Sequence, residues 1–229
     1  MSAKLLVVTG ASRGLGAHLA TAAQGGGYRV IGVARTAVED LPYPVRGCDV
    51  ADAEQVAAFF QSLRKEAGLY GLINAAGIAS MNLTVTTPPT TMQRIVATNL
   101  LGTMYCSSAM GRLLARAGGG RIINFSSIAV ALGLKGEAVY AGAKSGVEGF
   151  SRAFAREMAD FNVTVNTVAP GPIATDLIRG VAEEKIAALV ERQVVTRMGR
   201  PEDLWDLVSF LLEERSAMLS GQVFHLGGV

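Results

Sequence analysis

Tyr140 and Lys144 stand four positions apart at the start of a helical stretch, so both side chains project from one face. A free phenol titrates near about pH 10 and is a poor acid–base catalyst at neutrality. An ammonium held close to it favours the phenolate, which is the tuning a proton donor or acceptor needs. Ser127 lies 13 residues earlier, just past an apolar run, where its hydroxyl can reach a substrate oxygen. Proton transfer to or from an oxygen is the chemistry such a set can perform.

A second constellation sits near the N-terminus. Thr9-Gly10-Ala11-Ser12-Arg13-Gly14-Leu15-Gly16 follows a short apolar run and opens a helical pattern. Three glycines between a strand and a helix let backbone N–H groups approach a pyrophosphate, and the helix N-terminus adds partial positive charge. The spacing is G-x-x-x-G-x-G. No Lys-Ser/Thr follows the last glycine, which argues against ATP or GTP. The second apolar run ends Val33-Ala34-Arg35-Thr36, with no acid before Glu39. An acid there would bond the adenosine ribose of NAD. Arg35, with Arg13 in the turn, can instead pair with a 2′-phosphate, so the expected cofactor is NADP(H).

These residues must be held by a framework. Strand candidates are Lys4–Val8, Tyr28–Ala34, Val45–Cys48, Gly71–Asn74, Arg121–Ser126, Thr164–Val168 and Gln222–Leu226; helical patterns fall near 15–24, 52–66, 90–116, 138–160 and 202–214. Strands read as continuous apolar runs, each followed by a helix. That pattern predicts an α/β fold, a doubly wound parallel sheet of about seven strands with helices on both faces. Between Ala34 and Cys48 lie only 13 residues, including Pro42 and Pro44, so an irregular loop is expected in place of a crossover helix. No repeat, linker or composition shift divides residues 1–229, and one domain is expected.

Composition removes other classes. Lys+Arg 21 against Asp+Glu 19 leaves +2 with no basic block, so neither nucleic acid nor an anionic membrane is indicated. Leu5–Val8 is too short for a secretory core or a membrane span. Cys48 and Cys106 lack any zinc-like spacing, and His18 and His225 lie at opposite ends, so no metal site is expected and a reducing cytoplasm fits best.

Taken in order, Thr9-Gly10-x-x-x-Gly14-x-Gly16, Asp49-Val50, Asn74-Ala75-Ala76-Gly77, Asn99, Ser127, Tyr140-x-x-x-Lys144 and Pro170-Gly171-Pro172-Ile173-x-Thr175 resemble the short-chain dehydrogenase/reductase family from Lys4 to Val229. The resemblance implies that Tyr140 is the general acid of carbonyl reduction. Lys144 would lower its pKa and bond the nicotinamide ribose, Ser127 would polarise the carbonyl, and Asn99 would hold a water of a proton relay. It implies cofactor contacts from Thr9, Gly10, Ser12, Arg13, Gly14, Leu15 and Gly16, and from Asp49 and Val50 at the adenine. It also implies contacts from Asn74, Ala75, Ala76 and Gly77, and from Pro170, Gly171, Ile173 and Thr175 at the nicotinamide.

Within the family the wording is closest to 3-oxoacyl-[acyl-carrier-protein] reductases, in Thr9–Gly16, in Ala143-Lys144-Ser145-Gly146 and in Arg197-x-Gly199-Arg200-Pro201-Glu202-Asp203. The implied function is NADPH-dependent reduction of a 3-oxoacyl thioester. Another short-chain alcohol or ketone dehydrogenase and a non-catalytic NADP(H)-binding regulator stand as alternatives. The stretch from about 174 to 198 is read as a substrate loop whose apolar residues suit an acyl chain or ordinary packing equally. The resemblance also implies a homotetramer and an acyl carrier protein as a partner; because such a carrier is acidic, Arg112, Arg116, Arg152 and Arg156 read either as docking residues or, the favoured reading, as solvated helix faces.

Overall fold

Leu5 and Val7 face one layer of helices while Leu6 and Val8 face the other, and all four are fully buried. A strand covered on both sides has to be apolar at every position, which is why this run shows no polar alternation. The computed structural model describes residues 3–174 and 182–229. Among them seven strands form one sheet: β1 (Leu5–Thr9), β2 (Arg29–Ala34), β3 (Val45–Gly47), β4 (Leu69–Asn74), β5 (Gly120–Phe125), β6 (Val163–Pro170) and β7 (Val223–Leu226). Their order is β3-β2-β1-β4-β5-β6-β7, and every pairing is parallel.

Helices α1 (Gly14–Gly25) and α8 (Pro201–Leu212) cover one face, packing Leu19, Leu204 and Val208 onto Leu6, Val8 and Ile73. Helices α2 (Ala53–Ser62), α4 (Gly102–Ala117) and α6 (Ala138–Met158) cover the other, with Phe59, Met110 and Phe154 against Leu5, Val7 and Ile122. Each large side chain buried this way contributes about 1.5–3 kcal/mol. The shorter α3 (Pro89–Val96), α5 (Ile128–Leu132) and α7 (Glu183–Val190) lie around the strands' C-terminal ends.

The doubly wound sheet is the one the sequence predicts, and the segment between β2 and β3 is irregular, as its prolines require. The long helix expected over 90–116 is divided. Ala97–Leu101 forms a widened π turn between α3 and α4, in which Gly102 N–H reaches back to Ala97 C=O. The Asn99 side chain donates to Ile95 C=O at 3.0 Å, occupying a carbonyl of the ladder that a main-chain amide would otherwise use. The chain lays β1, β2 and β3 outward in one direction and then places β4 on the far side of β1. The crevice at the C-terminal ends of β1 and β4 is where this topology leaves room for a ligand.

Candidate active site

Both constellations converge on that crevice. β1 ends at Thr9, whose hydroxyl accepts the Ala76 N–H at 3.1 Å and ties the glycine turn to the segment after β4. Gly10 has φ +71°, and a Cβ there would lie 2.8 Å from Ala76 Cα, so the close approach requires glycine. At Gly14, the first residue of α1, a Cβ would meet nothing within 4 Å. The turn therefore opens onto free space above a helix N-terminus whose first amides have no intrahelical acceptor, a geometry that suits a pyrophosphate. Ser12 and Leu15 are half-buried in this turn, and Gly16 packs against the Gly10 carbonyl.

Other residues expected at the cofactor line the same edge. Arg13 and Arg35 are exposed, and among the described residues neither pairs with a carboxylate. Asp49 is half-buried, with Oδ1 accepting the Ala51 N–H at 3.0 Å, and Val50 packs under Gly102. Pro170 ends β6. Gly171 N–H donates to Leu226 C=O at 3.1 Å, and buried Ile173 bridges to Gly199. Thr175 lies outside the described residues. The buried Asn74 amide donates to Ser107 Oγ at 2.9 Å and to Asn124 Oδ1 at 2.8 Å.

The catalytic candidates are placed by β5 and α6. Ser127 caps α5, its Oγ accepting the Ala129 N–H at 3.2 Å, which leaves the hydroxyl proton available. Tyr140 and Lys144 are both buried on one face of α6. Lys144 Nζ donates to Phe125 C=O at 2.8 Å and lies 5.8 Å from the centre of the Tyr140 ring. Asn99 is fully buried, with Nδ2 donating to Ile78 C=O at 2.8 Å as well as to Ile95, and Oδ1 accepting the Ile78 N–H at 3.1 Å. Gly77 joins these groups, since a Cβ there would lie 2.8 Å from Asn99 Oδ1 and 3.7 Å from Lys144 Nζ.

The protein's own groups set the two protonation states in opposite senses. Burial pushes the Tyr140 phenol up to about 12; Glu137 adds to this and the nearby Ser127 hydroxyl opposes it. Burial pulls the Lys144 ammonium down to about 8. Desolvation is the largest influence on both groups and favours the neutral phenol and the neutral amine. Among the described residues no group of three or more His, Cys, Asp or Glu side chains could hold a metal ion, and no helix is long and apolar enough to cross a membrane.

A family model described as Enoyl-(Acyl carrier protein) reductase matches residues 10–228. The chain belongs to the short-chain dehydrogenase/reductase family. It is 36% identical over 236 residues to carbonyl reductase family member 4 of Danio rerio, covering 98% of this chain and 97% of that protein. It is 34% identical over 234 residues to the 3-oxoacyl-[acyl-carrier-protein] reductase FabG of Escherichia coli, covering 98% and 96%. Among solved structures, a putative short-chain alcohol dehydrogenase from Sinorhizobium meliloti superposes with a TM-score of 0.90 at 31% identity, covering 98% of this chain and 95% of that one.

Around these groups lie contacts that sequence reasoning passed over. Ser126, the neighbour of Ser127, donates to Glu148 Oε1 at 2.6 Å. Glu148 lies four residues beyond Lys144, so Tyr140, Lys144 and Glu148 form one stripe on α6; that spacing was the available signal. Buried Gln193 wedges its side chain between Gly171 and Gly227 and donates to Arg197 C=O at 3.1 Å, fastening the expected substrate loop to the end of β6. A cavity of about 260 Å³ lies beside it, lined by Gly171, Ile173, Val195 and Leu226 among others. A larger one, about 550 Å³, opens at the strands' opposite end, where Arg29 and Arg46 already pair with Glu66 at 2.9 and 3.4 Å. It is remote from the catalytic candidates.

Proposed function

We propose that this short-chain dehydrogenase/reductase is an NADPH-dependent carbonyl reductase acting on a 3-oxoacyl thioester. The observation that carries the reading is the clustering of Ser127, Tyr140 and Lys144 at the mouth of the crevice opened by the glycine turn. When bound there, a nicotinamide dinucleotide supplies the hydride. The open space over Gly14 and the N-terminus of α1 would hold its pyrophosphate. The exposed guanidinium groups of Arg13 and Arg35, which pair with no carboxylate among the described residues, support a 2′-phosphate on the adenosine.

In the reductive direction the Ser127 hydroxyl donates a hydrogen bond to the carbonyl oxygen and polarises it. As hydride reaches the carbonyl carbon, the Tyr140 phenol gives its proton to that oxygen, leaving an alcohol and a phenolate. The phenol's high native pKa keeps it loaded with that proton. The Lys144 ammonium stabilises the phenolate that forms. Proton return would run past Asn99; its amide protons are both committed to Ile78 and Ile95, so a relay water would donate to one of its oxygens.

In α7 no side chain is fully buried, and Ile186, Leu189 and Val190 are only half-covered, while Val194 is 74% exposed. An apolar acyl chain would cover them. Arg112, Arg116, Arg152 and Arg156 are exposed on α4 and α6, as docking of an acidic carrier protein in the cytoplasm requires. A homotetramer packing α4 and α6 against their symmetry mates belongs to the same proposal. The test is NADPH oxidation with a 3-oxoacyl thioester, run beside NADH and Tyr140→Phe. Turnover with NADPH that the substitution abolishes is expected. NADPH binding without turnover on any acyl thioester would refute the substrate, and failure to bind either cofactor would refute the whole reading.

A further inference from the structure

Residues 35–44, which stand where a crossover helix would run, contain a single aromatic side chain, Tyr43. It is 3% exposed although both flanking prolines are exposed. Its hydroxyl lies 3.0 Å from the Ala11 carbonyl oxygen and 3.2 Å from that of Ala17. A phenol has one proton, so the donation is shared between the two acceptors. Ala11 belongs to the glycine turn and Ala17 to the first turns of α1. The Ala11 N–H is held separately, by Val33 C=O at 3.2 Å.

The support beneath the turn is itself fixed. Gly32 makes the room, since a Cβ there would lie 2.9 Å from Ala11 Cβ and 3.2 Å from the Tyr43 ring. The Gln24 side chain donates to Pro42 C=O, and Gly32 N–H donates to Pro44 C=O at 2.9 Å. Pro42 and Pro44 hold their own φ angles and leave the segment little freedom. Tyr43 thus stands as a strut between a twice-anchored loop and the glycine turn that opens α1.

We infer that Tyr43 is a positioning residue for the cofactor, holding the glycine turn in its pyrophosphate-binding form before the ligand arrives. The inference rests on the dinucleotide reading of that turn. A loop containing Gly10 and Gly14 loses much conformational entropy when a ligand orders it, and a strut that orders it beforehand lowers the cost of binding.

The test is Tyr43→Phe, which keeps the ring and removes only the hydroxyl. Two readouts need no substrate: NADPH affinity from the cofactor's own fluorescence, and amide hydrogen exchange across residues 10–17. Loss of one net hydrogen bond should raise the NADPH Kd about two- to tenfold. Exchange should quicken across 10–17 while β1 and β2 exchange as in the wild type. An unchanged Kd overturns the inference. So does faster exchange spread through β1 and β2, which would make Tyr43 an ordinary core residue. Wild-type protein that binds neither NADPH nor NADH would instead overturn the dinucleotide reading beneath it, a distinguishable failure.

Discussion

Replacing Lys144 by Met should stabilise the protein near neutral pH while abolishing catalysis. The Lys144 side chain is buried, and burial alone pulls its pKa from 10.5 down to about 8. The unfolded chain keeps this proton up to its ordinary pKa, whereas the folded protein releases it near 8. Between those values the unfolded state binds more protons, so stability rises with pH; below about 8 the full penalty of burying the charge applies. At about 1.4 kcal/mol per pKa unit the penalty is on the order of 3 kcal/mol. Met fills similar volume and removes it, but also loses the 2.8 Å bond to Phe125 C=O, worth about 1–2 kcal/mol. The net gain at pH 7 is about 1–2 kcal/mol, a Tm rise of a few degrees at roughly 2–4 °C per kcal/mol for a chain this size. By about pH 10.5 the penalty has gone and only the lost hydrogen bond remains, so the variant should then be the less stable. Thermal unfolding of both proteins from pH 7 to pH 10.5 cancels from the difference the titrations of groups that Lys144 does not touch. A variant less stable by the same amount at every pH would refute the reasoning.

Glu148→Ala removes the 2.6 Å acceptor of the buried Ser126 hydroxyl and leaves it only the Lys144 C=O at 3.5 Å, a cost of about 1 kcal/mol that should lower Tm by a few degrees. The double variant with Ser126→Ala should be no worse than the worse single variant, because both partners are then gone; additive losses would count against the pairing. Arg35→Glu should weaken NADPH binding about tenfold or more while leaving NADH affinity equal or improved, as measured by fluorescence titration of each cofactor. Arg197 and Arg200 hold the Asp203 carboxyl well below the usual carboxylate range, with contacts of 2.7 and 3.1 Å. The stability this gives is present at neutral pH and is lost as pH falls through the depressed value. The Tm gap between wild type and Asp203→Asn should therefore hold to about pH 5 and narrow only in stronger acid.

Most of this architecture was legible in the sequence because it is local. β1, β2 and β6 are apolar runs rich in branched residues, and their edges fall within about two residues of those expected. Tyr140, Lys144 and Ser127 were found because helix spacing and strand position fix where their side chains point. The π turn at Asn99 was hidden because apolar periodicity runs straight through 90–116, and the break comes from one side-chain amide. α5, five residues long, was too short to show a period, and α7 lay inside what reads as a loop. Tyr43 under Ala11, Ser126 on Glu148 and Gln193 between Gly171 and Gly227 join residues 22 or more apart, and no local pattern announces such pairs. The protonation balance was also beyond reach, since desolvation depends on how deeply α6 buries its face.

Three side chains on one stripe of α6 grip three successive residues at the end of β5. Lys144 holds Phe125, Glu148 holds Ser126, and Tyr140 faces Ser127. The groups that would move protons are therefore fixed by a single helix–strand contact inside the core, where a shift of one residue would disturb all three at once. The groups that would select among ligands are fixed differently. Arg35 is exposed beyond the end of β2, and Val194 and Val195 stand exposed on the loop past α7, where substitution costs the fold little. Relatives about a third identical can thus share one chemistry while their names point to different carbonyl compounds.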